Sequence, residues 1–204
     1  IASLVDSAPG TLDTLNELAA ALGDDANYAA TITTALATKV TGKSGGTGFT
    51  RSLLVGHSTT GTLDADAVDN TGMGNDALDA ITSGDYNTGV GSRSLTGVSI
   101  GRRNTAIGSD SAKNITIGGR NTSLGFQNLY SSISGNDNVA VGSYALEKST
   151  EDFNTAVGSF AGREITNSFY NITLGYESGD NITTGNGNII IGNVDADSAT
   201  GDRQ

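Results

Sequence analysis

Cysteine and tryptophan are absent from this chain of 204 residues, proline and histidine occur once each, and only 16% of the residues are charged. Without cysteine there are no disulfide staples and no thiolate metal sites. The single proline, Pro9, stands outside the part of the sequence that repeats. That placement suits a structure in which every backbone N–H is needed for a hydrogen-bonded ladder. No apolar run approaches the ~18 residues a membrane span needs, so membrane insertion is not expected. The net charge of −11 disfavours polyanionic partners, nucleic acid among them. His57 has no nucleophile or ligand that the sequence places beside it, and it reads as a turn residue.

What the chain has in quantity is glycine, 29 residues of it, and the glycines keep step. Asn154-Thr155-Ala156-Val157-Gly158 is one copy of a phrase that also closes at Gly74, Gly91, Gly108, Gly125, Gly142, Gly175 and Gly192. The step is 17 residues, with a single 16 between Gly142 and Gly158. A degenerate first copy is Leu53-Leu54-Val55-Gly56. A fixed period of this length is the mark of stacked repeats, in which each unit buries its apolar surface against the next.

The phrase is numbered here from its Asn as position 1. Position 1 is Asn70, Asn87, Asn104, Asn121, Asn138, Asn154, Asn171 and Asn188. Identical amides stacked unit on unit can hydrogen-bond as a ladder. Position 4 is always apolar: Met73, Val90, Ile107, Leu124, Val141, Val157, Leu174 and Ile191. It is predicted to be the repeat core, with the Thr, Val or Ile of position 2 on the same strand face. Position 5 is the glycine, suited to positive φ in a turn. A second apolar mark at position 12 (Ile81, Val98, Ile115, Ile165 and Ile182, with Ile133 one place late) predicts two short strands and two turns per unit.

The predicted fold is mainly β: a parallel β-solenoid, or β-roll, of about nine 17-residue coils over residues 52–193. Two or three buried aliphatic side chains per coil, at about 1.5–3 kcal/mol each, barely match the ordering entropy of such a coil. Further burial is therefore expected between chains, most simply in a homotrimer. Most aromatic residues fall in the turns, and Phe126, Tyr144, Phe160 and Tyr176 are candidate surface contacts.

Residues 1–42 predict a short helical segment with helices at 11–22 and 25–40, seamed by Leu12, Leu15, Ala19 and Leu22 and by Tyr28, Ile32, Leu36 and Val40. Residues 43–51 read as a Gly-rich linker, and 194–204 as a tail leading to missing residues. With Ile1 first and no closing element after Gly201, the chain is expected to be a piece of something longer.

Several motifs carry no chemistry on inspection. Gly72-Met73-Gly74-Asn75-Asp76-Ala77 imitates a dinucleotide fingerprint but lacks the helix and βαβ unit that fingerprint needs. Asp64, Asp66 and Asp69, and likewise Asp195 and Asp197, have a spacing that can hold Ca²⁺ but match no known loop; they read as solvated turns. No catalytic residue, metal site or cofactor is expected.

Residues 4–26, leucine-rich with Ala-Pro before and Gly-Asp-Asp after, resemble a segment of tail-fibre proteins of tailed bacteriophages. The phrase Asn-Thr-Ala-Val-Gly over residues 52–193 resembles the head repeat of trimeric autotransporter adhesins, and more closely the longer repeats of phage tail fibres. The resemblance implies a trimeric left-handed β-roll, often ahead of a receptor-binding tip or a self-cleaving chaperone domain. The 17-residue step and the Thr at position 2 depart from the adhesin pattern. The function implied is a structural and adhesive segment of a virion tail fibre, joined to other tail proteins and displaying host-receptor binding. A bacterial adhesin head, and after it a glycan-degrading tailspike, are the alternatives.

Overall fold

The computed structural model describes residues 42–44, 51–56, 67–195 and 200–201. They belong to one compact unit, residues 42–204. The helices expected at 11–22 and 25–40 lie outside the described residues, as do His57, Asp64, Asp66 and Asp197.

The unit is a solenoid. Its strands are three residues each: β1 (Gly42–Ser44), β2 (Leu53–Val55), β3 (Thr71–Met73), β4 (Thr88–Val90), β5 (Thr105–Ile107), β6 (Thr122–Leu124), β7 (Val139–Val141), β8 (Thr155–Val157), β9 (Ile172–Leu174) and β10 (Ile189–Ile191). They form one sheet in sequence order. From β2 to β10 every pairing is parallel and in register, Thr88 on Thr105 and Val90 on Ile107 for example. The nine strands from β2 to β10 are joined by about eight full turns. β1 adds to the first rung antiparallel, with Lys43 opposite Leu54, so the stretch read as a linker from residue 43 begins as a strand.

Each rung has one strand, not two. After position 5 the chain turns through left-handed backbone at positions 7 and 9, and again at position 17; Arg93, Leu95 and Arg103 have φ of 56°, 51° and 59°. No extended run fits between such turns. The rungs still bond to one another all the way round: Leu95 N–H donates to Ser111 O at 3.1 Å and Gly97 N–H to Lys113 O at 2.8 Å. Position 12 therefore packs inward from a turn.

The burial corrects the expected core. Every strand from β3 to β10 buries its middle residue and turns positions 2 and 4 outward. Met73, Ile107, Leu124, Leu174 and Ile191 are exposed, and Val90, Val141 and Val157 are half-buried. The threonines sharing that face are outside as well. The interior is instead filled by position 3, position 9 (Leu78, Leu95, Ala112, Leu129, Leu146) and position 12 (Ile81, Val98, Ile115, Ile165, Ile182). The alternation of a strand assigns two faces but not which one is inside. Six of the strand centres are small (Gly72, Gly89, Ala106, Ser123, Ala140 and Ala156), with Leu54, Thr173 and Ile190 in the rungs towards the ends, and the apolar position 4 points away from the coil.

Volumes are exchanged between positions 3 and 9. Where position 9 is Leu78, position 3 of the same rung is Gly72, whose missing Cβ would lie 3.3 Å from a Leu78 methyl. Where position 9 is Gly179, the sheet above supplies Ile190, 3.4 Å from where that Cβ would be. Such exchange keeps the interior close-packed at constant diameter.

Candidate functional surfaces

The Asn column stands inside the coil, fully buried. Asn104 shows the pattern: its Nδ2 donates to Asn87 Oδ1 at 3.1 Å and to Gly118 O at 2.9 Å. Its Oδ1 accepts from the backbone N–H and Nδ2 of Asn121 at 3.1 and 3.0 Å. Each amide thus closes its own corner and props the next, which is a structural role. In the first rung Ser52 takes the same place, accepting from Asn70 N–H at 2.8 Å. Position 8 supplies a second ladder that sequence reading missed: Ser94 Oγ donates to Ala106 O at 2.9 Å, and Ser178 Oγ to Ile190 O at 3.0 Å. Its signal was present in the small or hydroxyl residues recurring at 77, 94, 111, 145, 161 and 178.

The turn glycines sit at the corner after the strand. Gly74 has φ 137°, and a Cβ there would lie 2.6 Å from Gly91 O of the next rung. Chain stacks on chain at this corner too closely for any side chain.

On the outer turns, residues one rung apart lie side by side, and they are chosen as pairs. At position 17, Arg51 chelates Asp69 at 2.8 and 2.6 Å, Arg103 lies 5.9 Å over the Tyr86 ring, Arg120 chelates Asp137 at 2.7 and 2.6 Å, and Phe153 stacks on Tyr170 at 5.0 Å. At position 7, Arg93 chelates Asp110 at 2.7 Å through both contacts. Arginine beside each of Asp69, Asp110 and Asp137 holds those carboxyls below the usual aspartate range, chiefly through the hydrogen bonds. Lys148 does the same for Glu164. Burial, with Asp195 beside it, pushes Asp180 up.

Phe126, Tyr144, Phe160 and Tyr176 form one continuous column up four rungs. Ring centroids are 5.4 Å apart edge-on, 5.1 Å apart stacked, and 6.3 Å apart edge-on. Arg163 caps Phe160 at 5.3 Å. The rings are each other's partners, and Phe126 and Tyr176 keep open faces as exposed residues. Among the described residues no three His, Cys, Asp or Glu side chains gather as a metal site, and no helix is long and apolar enough to cross a membrane.

The outward face of the sheet carries a continuous apolar feature. Position 4 runs as an unbroken hydrophobic column from β2 to β10, flanked by the Thr, Val and Ile of position 2.

Compared with known proteins, the chain is similar to a probable tail fiber protein of Escherichia phage P2, 69% identical over 39 residues. That match spans 19% of this chain and 6% of the phage protein's length. No family profile matches the chain, and no solved structure does. The match and the parallel β-solenoid together fit a tail-fibre repeat protein.

Proposed function

We propose that this chain is a shaft segment of a phage tail fibre, located in the virion tail, in which three copies form a rod that carries host-receptor binding outward. The reading assigns it no chemistry. Its partners are its own sister chains, other tail proteins and, directly or through a tip, a receptor on the host surface.

The observation that carries the trimer is the outward sheet face. A column including Met73, Ile107, Leu124, Leu174 and Ile191, each between 41% and 65% exposed, is a continuous apolar surface of the kind that marks an interaction site. Three such faces meeting on an axis would bury it and supply what the narrow coil cannot. The rungs give stiffness, because each is bonded to its neighbours all the way round. The likeness to a tail fiber protein supports the location.

Mass measurement on the native protein tests this. Three times 20.6 kDa is expected; a species of 20.6 kDa at micromolar concentration would refute the trimer.

A further inference from the structure

Three of the chain's 11 basic residues meet at one cleft on an otherwise acidic molecule. The cleft, about 520 Å³, lies along the turn of positions 14–17 and is lined by Arg102, Arg103 and Arg120 beside Ile100 and Ile117. Its size is that of a small-ligand site. We propose that it binds an anionic sugar, a phosphate- or carboxylate-bearing residue of a surface glycan.

The arginines are held in different ways. Arg102 uses only Nε on Asp85, at 3.0 Å, so both of its terminal nitrogens remain available. Arg120 gives Nε and Nη2 to Asp137 and keeps Nη1. Each is therefore fixed by a carboxylate behind it while still offering N–H groups. Arg103 forms no ion pair with any described residue; it rests on the Tyr86 ring. The two paired arginines are matched by Asp85 and Asp137, with Asp152 also acting on Arg120, and Arg103 is the arginine of the cleft with no carboxylate partner of its own among the described residues. Prefixed guanidinium forks match carboxylate and phosphate geometry.

The apolar part argues for a sugar over a bare ion. Ile100 and Ile117 stand on successive rungs, 51% and 54% exposed, and make a hydrophobic step next to the guanidiniums. A sugar ring presents a C–H face to such a step and an anionic substituent to the arginines. The next rung up carries Ser134 there, and in the rung after it position 14 is the residue omitted by the 16-residue step, so the step ends.

The test is titration of the native full chain with glucose 6-phosphate, glucuronate and glucose at low ionic strength. Both charged sugars should saturate and the neutral one should not, and the stronger of the two identifies the anion. Arg103→Gln should weaken binding at least tenfold with an unchanged melting temperature, and Arg103→Lys should recover part of it. Absence of saturable binding by either charged sugar would overturn the proposal, as would binding that Arg103→Gln leaves unchanged. Equal affinity for inorganic phosphate would remove the sugar from it. The mass of the same sample reports separately on the trimer, which stands or falls on its own.

Discussion

Leu78, Leu95, Leu129 and Leu146 all have positive φ, between 47° and 61°. Left-handed backbone costs a side-chain-bearing residue about 1–2 kcal/mol. It persists here because the rungs above and below bond the turn in place and because these leucines fill the coil. Where the side chain packs less, the strain can be relieved: Gln127→Gly, at φ 51°, should be neutral or stabilising by up to ~1 kcal/mol in chemical denaturation. The buried amides behave oppositely. Asn104→Ala would strand Gly118 O and the Asn121 N–H inside the protein, while Asn87 Oδ1 would keep only its bond from the backbone N–H of residue 104. At about 1–3 kcal/mol for each stranded group, a loss of several kcal/mol and a clear fall in melting temperature are expected. Ser132 occupies the inward place that Ile115 holds in the rung below, and its hydroxyl is buried with no partner. Ser132→Val should raise stability by about 1–2 kcal/mol, read as a higher denaturation midpoint.

At the scale of one rung, much was legible in the sequence and part was not. Register was readable, because 17-residue spacing of Asn and Gly survives any choice of side. The number of strands per rung and the inward face were not. Position 4 is the most constant hydrophobe and position 3 the most variable small residue, so composition ranked them in the wrong order; burial depends on coil width, which no single residue encodes. The left-handed turns were hidden because Leu, Arg and Tyr occupy them as freely as glycine. Nor did the sequence reading pair the charges, although Arg93 and Asp110 are one period apart. That pairing has a pH signature. Asp110 is held below its ordinary value of 3.8 in the folded state. Its contribution is fully present above that unfolded value and is lost as pH falls through the lower folded one. Arg93→Gln should therefore lower the melting temperature at pH 6, and the difference from wild type should shrink as the pH falls below 3.8 and Asp110 takes up its proton in the folded state.

For the whole molecule, the repeat makes length a separable property. Excising residues 104–120 would join Arg103 to Asn121 in register, and the shortened chain should fold with the same circular dichroism. Leu124→Lys tests assembly: its side chain is 45% exposed on the outward sheet face, so the coil should survive while the mass falls to that of one chain. The rung-to-rung hydrogen bonds have a mechanical meaning. They point along the rod, whereas the covalent chain runs around it. A pull on the tip is therefore borne by non-covalent bonds, which release one coil at a time. Each release pays out a 17-residue loop, some 55–60 Å of slack in place of a rise of about 4.8 Å. A fibre built this way would yield by lengthening more than tenfold at its weakest turn before any backbone bond is loaded.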